Sequence, residues 1–399
     1  MTTDKQINKY TTYIGVDDTD LDLFEGQYKL DVGVSYNSYI IQDEKIAVMD
    51  TVDARMGEEW IEQLTTALGG RTPDYLVVHH MEPDHASCIE WLMNLYPTLR
   101  AVCTQKAAAL IARYFETDLS QRLYIVKEGD TLSLGHVTLT FIMAPMVHWP
   151  EVMMSYDSLN GTLFSADAFG KFGALSLTAD GSKGLGSIWG DKHEWACEAR
   201  RYYFNIVGKY GPMVQNVLKK VSALTLQTIC PLHGPILHDD LPYFINLYNT
   251  WSSYEPETPG VFMAYCSLHG NTQQAALMLQ DMIEAQDVKV TISDLRRDDM
   301  AEAVEDAFRY PTLVVCAPTY DGGLMPVMHD FLYHLQTKNY QKRRVAIIEN
   351  GSWAPMAGKK MAEMLGQMKD IQIIEPIISI PSRVTDEVEQ SLKALAEKL

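Results

Sequence analysis

The sequence predicts an α/β protein with two domains. Its 399 residues are enough for more than one core, and the hydrophobic fraction of 47% is that of an ordinary globular protein. Strand-like apolar runs alternate with helical stretches along the chain. The best boundary is residues 252–260, where two prolines, a glycine and small polar residues interrupt both periodicities. We therefore expect a first domain over 1–251, a linker over 252–260 and a second domain over 261–399.

In the first domain, strands and helices come in mixed order. The apolar runs predict strands at 39–41, 46–49, 75–78, 123–126, 137–143 and 162–165, and the helical stretches are 58–68, 86–96 and 105–115. In the second domain the order is strand–helix–strand, followed by further buried strands. Strands are predicted at 261–266, 288–292, 313–317 and 345–348, with a helix at 272–285. Such alternation is typical of a parallel sheet.

Charge and composition exclude several classes of protein. Lys and Arg number 33 against 52 Asp and Glu, a net charge of −19, which disfavours a nucleic-acid partner. No run of 18 apolar residues appears, and the N-terminus lacks the apolar core of a signal peptide, so we expect a cytoplasmic protein with no membrane partner. The six cysteines form no CxxC pair, which argues against disulfides or an iron–sulfur cluster.

The strongest chemical signal follows the apolar run at 75–78. The next residues are HHMEPDH, so the end of a strand presents several metal-ligating side chains within six residues. In an extended segment, alternate residues point the same way, so His80, Glu82 and Asp84 can converge. Three more predicted strands lead into His148, Asp167 and His233. Because strand ends are where α/β proteins assemble sites, we predict a metal centre with catalytic function. Its residues are His80, Glu82, Asp84, His85, His148, Asp167 and His233.

A second constellation lies in the second domain. The strand at 261–266 leads into Ser267, Leu268, His269, Gly270, Asn271 and Thr272, and then into a helix. Hydroxyls and backbone N–H groups at a helix N-terminus bind phosphate. The loop is neither GxGxxG nor followed by a Walker lysine, which disfavours a dinucleotide or a nucleoside triphosphate. Two later loops complete the predicted cofactor site. They contain Pro318, Thr319, Tyr320, Asp321, Gly322 and Gly323, and Asn350, Gly351, Ser352 and Trp353.

These motifs together resemble a known family. HxxxDH followed by His, Asp and His resembles the metallo-β-lactamase superfamily, and the form HxExDH resembles the flavodiiron proteins. The three loops resemble those of flavodoxins, in which they hold FMN and an aromatic side chain packs on its ring; Tyr320 and Trp353 are the candidates. The resemblance implies an N-terminal metallo-β-lactamase-like αββα sandwich and a C-terminal flavodoxin-like, doubly wound parallel sheet.

The resemblance also implies how two iron ions are held. One iron takes His80, Glu82 and His148, the other takes Asp84, His85 and His233, and Asp167 bridges them. His79 is expected to point away from the metals. Softer matches are the segments His148-Trp149-Pro150, Tyr202-Tyr203 and 35–39. The loop after Trp353 departs from the family's glycine-rich form, which leaves the flavin contacts there undefined.

The implied activity is reduction of O₂ to water, of NO to N₂O, or of both, at a non-haem diiron site. FMN relays electrons from an external donor, which the family suggests is a rubredoxin or a reduced flavoprotein, since no rubredoxin-like or flavin-reductase extension follows the second domain. A head-to-tail homodimer, alone or as a dimer of dimers, is implied because flavin and irons of one chain lie far apart in the family. The sequence does not choose between O₂ and NO.

Two other functions compete with this interpretation. One is a binuclear zinc hydrolase with a fused flavodoxin domain, and the other is an electron carrier whose metal domain has lost its function. Hydrolases of the superfamily commonly carry His where this chain has Glu82. A carboxylate there makes the donor set harder, which favours iron over zinc.

Overall fold

The computed structural model describes residues 5–177 and 187–399. Within them, two compact units are resolved. The first contains the residues up to Tyr203 together with Pro212–Asn249, and the second contains Phe204–Gly211 and Thr250–Leu399. The last helix before the predicted linker ends at Ser252. The domain boundaries predicted from the sequence, 1–251, 252–260 and 261–399, remain a prediction.

The first unit contains two large β-sheets. The first sheet has the order β1-β6-β7-β8-β9-β10 and the second the order β11-β12-β13-β14-β15, while β2 pairs with β5 and β3 with β4. The strands are β1 Thr11–Tyr13, β2 Val16–Asp18, β3 Leu23–Phe24, β4 Tyr28–Lys29, β5 Val34–Tyr36, β6 Tyr39–Gln42, β7 Ile46–Met49, β8 Tyr75–Val77, β9 Arg100–Cys103, β10 Leu123–Ile125, β11 Thr131–Ser133, β12 Thr138–Met143, β13 Met153–Asp157, β14 Thr162–Phe164 and β15 Thr228–Cys230.

The core of the first unit lies between these two sheets. Ile41, Met49 and Val102 of the first sheet share one buried cluster with Phe141 and Phe164 of the second, so the two inner faces pack on each other. The accompanying helices are α1 Gly57–Leu68, α2 Pro83–Ala86, α3 Ile89–Leu95, α4 Gln105–Tyr114, α5 Lys192–Tyr202, α6 Gly211–Val221 and α7 Leu241–Ser252. This is the predicted αββα class of fold.

Strand direction brings the predicted site residues to one edge of each sheet. In the first sheet β7, β8 and β9 are parallel, so His79 and His80 leave the sheet beside the end of β7. In the second sheet β12 runs in the same direction as β14 and β15. His148, Asp167 and His233 therefore follow strands that end at the same edge.

The second unit is built on a five-stranded parallel sheet with the order β17-β16-β18-β20-β21. This is the doubly wound order of flavodoxin-like folds. The strands are β16 Val261–Tyr265, β17 Val290–Asp294, β18 Thr312–Tyr320, β19 Gly323–Leu324, β20 Arg343–Asn350 and β21 Ile371–Ile380. The helices are α8 Asn271–Glu284, α9 Met300–Arg309, α10 Pro326–Thr337, α11 Ala357–Leu365 and α12 Asp386–Ala396. Within the described ranges, none of the helices is long and apolar enough to cross a membrane.

Several predicted elements differ in the structure. The strands expected at 288–292 and 345–348 are β17 Val290–Asp294 and β20 Arg343–Asn350. The helix expected at 86–96 is two helices, α2 and α3, separated at Ser87 and Cys88. Pro83 fits the first turn of a helix, so the chain becomes helical earlier than its apolar pattern indicates. The strand expected to end at Ala317 continues as β18 to Tyr320, because the hairpin partner β19 pairs with Thr319 and Tyr320.

Candidate metal centre and flavin cleft

Four predicted ligands converge in one buried cluster. His80, Glu82, His148 and Asp167 each direct one ligand atom into a space where all four atoms lie within 4.8 Å of one another. His80 Nε2 is 3.2 Å from Glu82 Oε2, and His148 Nε2 is 3.0 Å from Asp167 Oδ2. We call this cluster the first subsite.

The other three predicted ligands form a second cluster. Asp84, His85 and His233 bring their ligand atoms within the same 4.8 Å limit. His233 Nε2 is 3.1 Å from Asp84 Oδ2, and the Nε2 atoms of His85 and His233 are 3.0 Å apart. We call this cluster the second subsite.

Asp167 lies between the two subsites. Its Oδ2 faces the first subsite, 3.3 Å from His80 Nε2, and its Oδ1 faces the second, 3.3 Å from His85 Nε2. One carboxylate therefore presents an oxygen to each cluster, which is the geometry of a bridging ligand.

The short helix α2 explains how neighbouring residues reach different subsites. Glu82 has extended backbone angles of φ −62° and ψ 140°, and the helix begins at Pro83. Asp84 and His85 thus leave the extended path and turn into the second subsite. The expected convergence of alternate residues applies to His80 and Glu82 but is wrong for Asp84.

The turn that carries His233 is fixed by a distant segment. His233 Nδ1 donates to the carbonyl oxygen of Ser35 at 2.8 Å, and the Gly234 N–H donates to Ser35 Oγ at 2.7 Å. Gly234 has φ +74°, and a Cβ added there would lie 2.5 Å from Lys171 Cγ. This position therefore requires glycine.

His79 points away from the metal cluster, as expected from the sequence. Its Nδ1 and backbone N–H bond to the carboxylate of Asp50, and its Nε2 lies 2.8 Å from Ser155 Oγ. Both ring nitrogens are engaged, so His79 fixes the end of β8.

Three aromatic residues of the segments noted in the sequence lie against the cluster, and one of them is Tyr36, whose ring is 6.0 Å from that of His233. The Trp149 ring lies 5.2 Å from that of His80, and the Tyr202 ring lies 5.6 Å from that of His233, both measured between centroids. Tyr203 instead packs on Tyr248, at 5.1 Å. Only the first tyrosine of the pair faces the metal ligands.

The second unit contains a cleft of about 580 Å³ at the carboxyl ends of β16, β18 and β20. Fourteen of the sixteen residues predicted to bind the cofactor line it; Gly270 and Gly323 belong to the same loops but do not line the cleft. Its lining consists of Ser267, Leu268, His269, Asn271, Thr272, Pro318, Thr319, Tyr320, Asp321, Gly322, Asn350, Gly351, Ser352, Trp353, Ala354, Met356 and Ser382.

Two networks hold the loops of this cleft. In the first loop, Ser267 Oγ accepts from the Gly270 N–H at 3.0 Å, and Arg296 donates to the Ser267 carbonyl. The last loop is the one whose flavin contacts the sequence left undefined. It is held by Thr319 of the second loop, whose Oγ1 accepts from the backbone N–H groups of Met356 and Ala357 at 2.9 and 3.2 Å. The loop after Trp353 is therefore anchored to the end of β18.

Comparison with known proteins agrees with this architecture. Residues 34–234 match a family described as ODP family beta lactamase. A nitric oxide reductase of Moorella thermoacetica is 32% identical over 371 residues, covering 91% of this chain and 90% of the relative. An anaerobic nitric oxide reductase flavorubredoxin of Pectobacterium atrosepticum is 30% identical over 348 residues, covering 86% of this chain and 66% of the relative.

Solved structures share the fold over the whole chain. A flavodiiron protein from Giardia intestinalis has a TM-score of 0.92 at 23% identity, covering 100% of this chain and 96% of the other. A rubredoxin oxygen:oxidoreductase from Desulfovibrio gigas has a TM-score of 0.89 at 24% identity, covering 98% and 96%. The chain belongs to the flavodiiron protein family. It is an oxidoreductase, and the zinc-hydrolase alternative is disfavoured.

Electrostatics in this flavodiiron protein favour a bound cation. Burial opposes charge on His148, but Asp167 and Glu82 outweigh it and raise the His148 pKa to about 9. Burial likewise opposes charge on His80, yet Asp167, Glu151 and Glu82 raise its pKa well above the ordinary value. The Asp167 pKa stays well below its usual range, because the surrounding imidazoles outweigh burial. The carboxylates thus draw positive charge into the cluster.

The donor set of this flavodiiron protein fits two metal ions. Both carboxylate oxygens of Asp84 and Asp167, and Nε2 of His148, are buried and make no hydrogen bond of acceptable angle in the described structure, although imidazole and carboxylate atoms approach to 3.0 Å. Leaving such atoms without a partner costs free energy, which a metal ion would offset by coordinating them. Three carboxylates and four imidazoles suit non-haem iron.

Sequence reasoning missed several residues that support the candidate metal centre. Glu151 is buried and bonds to His80, and Ser35 and Asn37 hold the turn of His233. Glu151 directly follows the noted His148-Trp149-Pro150 segment, and Ser35 and Asn37 lie in the noted segment 35–39. Their position next to those motifs was the available signal, but the sequence did not identify the hydrogen-bond partner of each side chain.

Proposed function

We propose that this flavodiiron protein reduces O₂ to water, NO to N₂O, or both, at a diiron centre supplied with electrons through FMN. The observation that carries the proposal is Asp167, whose two oxygens face the other six predicted ligands, three on each side. The names of the relatives, nitric oxide reductase and rubredoxin oxygen:oxidoreductase, support the two substrates.

Each protein residue has a defined task in this proposal. His80, Glu82 and His148 would hold one iron, and Asp84, His85 and His233 would hold the other. Asp167 would offer one carboxylate oxygen to each. Because the ligand side chains are buried or nearly so, the site is screened from bulk water.

When bound, iron and FMN supply the redox chemistry and the stored electrons. Reduction of O₂ to two waters takes four electrons and four protons, and reduction of two NO to N₂O and water takes two of each. Tyr202 is buried with its ring against that of His233, and the ring of Trp149 lies against that of His80. These residues shape the space next to the metals.

The cleft of the second unit is proposed to bind FMN. The phosphate would lie at the N-terminus of α8, against Ser267, Asn271 and Thr272, where backbone N–H groups and hydroxyls are available. The isoalloxazine ring would lie between the other two loops. Tyr320 and Trp353, which are 42% and 83% exposed in the single chain, have room to pack on it.

The remaining predictions about assembly belong to the same proposal. We expect a cytoplasmic, head-to-tail homodimer or a dimer of dimers, in which the flavin of one subunit serves the irons of its partner. The electron donor is expected to be a rubredoxin or a reduced flavoprotein. Sedimentation analysis combined with turnover measured at increasing dilution tests the dimer, since dissociated subunits should lose turnover.

The deciding experiment starts from protein purified without oxygen. Iron, zinc and FMN are measured per chain, and consumption of O₂ and NO is followed separately with a reduced rubredoxin as donor. We expect two irons and one FMN per chain and consumption of at least one gas; the ratio of the two rates names the preferred substrate. Two zinc ions and no gas consumption would overturn the proposal.

A further inference from the structure

The first subsite contains a histidine supported by a buried carboxylate. His80 Nε2 faces Glu82 and Asp167, while its Nδ1 lies 2.8 Å from Glu151 Oε1. A carboxylate only accepts hydrogen bonds, so His80 Nδ1 carries the hydrogen and donates it to Glu151. This tautomer leaves the lone pair of His80 Nε2 directed at the metal position.

Glu151 is itself held in place by the surrounding backbone. Its Oε1 also accepts from the Met81 N–H at 3.0 Å, and its carbonyl oxygen accepts from Thr104 Oγ1 at 3.1 Å. Thr104 caps the N-terminus of α4 by accepting from the Ala107 N–H. The Glu151 side chain is completely buried, so its charge is not dispersed by solvent.

The second subsite has no such support. His233 Nδ1 donates to the neutral carbonyl oxygen of Ser35. His85 Nδ1 is buried and makes no hydrogen bond to any described residue. Neither imidazole of this subsite is hydrogen-bonded to a carboxylate through its Nδ1, although each faces Asp84 through its Nε2.

We propose that Glu151 is a positioning residue that makes the two metal positions unequal: the first subsite retains its ion and the second exchanges its ion readily. A carboxylate behind a ligating imidazole fixes the ring and raises the basicity of the nitrogen that faces the metal, and loss of such a partner costs roughly 10- to 100-fold in metal affinity. A neutral carbonyl oxygen, such as that of Ser35 behind His233, also orients the imidazole but raises the basicity of its metal-facing nitrogen less. This inference rests on the diiron centre of the proposed function.

The test is a chelator challenge of the full-length, metal-loaded protein. Protein is incubated with increasing EDTA, and the iron retained per chain is measured after removal of the chelator. We expect two separate losses, with the first ion leaving at a chelator concentration roughly 10-fold or more below the second. The His233→Ala variant should lack the easily lost ion, which assigns that ion to the second subsite.

Glu151→Gln is the decisive variant, because glutamine keeps an oxygen that accepts from His80 Nδ1 but removes the charge. We expect the tightly held ion to be lost at a roughly 10- to 100-fold lower chelator concentration, which brings the two losses together. Asp50→Asn is the matched control. Asp50 is an equally buried carboxylate that bonds to the imidazole and N–H of His79, which is not a proposed ligand, so this variant should retain the wild-type pattern.

Two outcomes overturn the inference. One is loss of both ions together from the wild-type protein, a result that does not depend on whether any variant folds. The other is a Glu151→Gln protein, folded by circular dichroism, whose retention of iron equals that of wild type. Gas consumption by the wild-type protein is measured in parallel, so a failure of the proposed oxidoreductase function is seen separately from a failure of the unequal metal positions.

Discussion

The side-chain nitrogen of Asn37 lies 2.7 Å from the carbonyl oxygen of Gly234, 197 residues further along the chain. The same nitrogen donates to the carbonyl of Pro231 at 2.8 Å, and the Asn37 side-chain oxygen accepts from the Tyr13 hydroxyl at 3.0 Å. All three bonds are buried. Asn37 therefore closes the turn that directs His233 into the second subsite.

Replacing Asn37 with alanine is expected to weaken both the fold and the second subsite. The carbonyls of Pro231 and Gly234 would lose their side-chain donor in a buried place, and we expect the free energy of unfolding to fall by about 2–4 kcal/mol. Denaturant unfolding and the iron content per chain measure the two effects. Asn160→Ala is the control, because the Asn160 side chain bonds locally, to Asp157, and to no other residue of the described ranges, so the iron content should stay unchanged. Normal iron retention in Asn37→Ala would contradict the role given to this residue.

Asp167→Asn should remove metal from both subsites. The substitution takes away the negative charge that faces His80, His148 and His85, and an amide is a poor bridge between two cations. We expect gas consumption to fall more than about 100-fold while FMN content stays normal, because the cleft proposed to bind FMN belongs to the second unit. Metal analysis and flavin absorbance test this. The control is Asp157→Asn, a buried carboxylate that holds a turn and faces no ligand.

Thr319→Val tests how the flavin loop is held. The hydroxyl accepts from the N–H groups of Met356 and Ala357 at the start of α11, so its loss should cost about 1 kcal/mol of stability and weaken FMN binding. Thr385→Val is a matched control, since Thr385 caps α12 by accepting from the Val388 N–H and does not line the cleft. It should lose similar stability and keep its FMN affinity. Equal FMN affinity in both variants would contradict the anchoring role.

Trp353→Ala should lower FMN affinity by roughly 5- to 30-fold, the equivalent of about 1–2 kcal/mol of stacking and burial. The residue lines the cleft and is 83% exposed in the single chain, so the substitution should not reduce stability. Equilibrium dialysis of FMN and a thermal melt measure the two quantities. Tyr333→Ala removes another exposed aromatic side chain, outside the cleft, and serves as the control.

The cysteines should differ sharply in reactivity. Cys197 is exposed and the other five are buried. Burial raises the pKa of Cys88 to about 11 and that of Cys103 to about 12, so at pH 8 only roughly one Cys88 in a thousand is the reactive thiolate. The thiolate fraction grows as pH rises towards these values. Alkylation of the native protein by iodoacetamide at pH 8, followed by mass spectrometry, should label one site rapidly. Cys197→Ser should abolish it, and rapid labelling of several sites would contradict the burial.

The sequence by itself determined the fold class, the ligand types and the order of the loops. Strand and helix positions follow from local periodicity, and most predicted strands in the first unit match the structure to within one residue. The predicted ligands His80, Glu82, His148 and Asp167 could be selected because each lies shortly after the end of an apolar run. Local patterns carry this information because a strand end necessarily exposes the residue that comes next.

The family resemblance already assigned the predicted ligands to two subsites, but tertiary structure alone decided how neighbouring residues reach different subsites and which residues support them. Asp84 follows Glu82 by two residues yet faces the other subsite, because α2 begins between them at Pro83. Glu151 reaches His80 across 71 residues, and Ser35 reaches His233 across 198. Such pairs are set by sheet packing and strand direction, which bring together segments that are far apart in the sequence. No local pattern in either segment identifies the other as its partner. The predicted ligands can therefore be identified from the sequence, whereas the hydrogen bonds that orient them can be identified only from the folded structure.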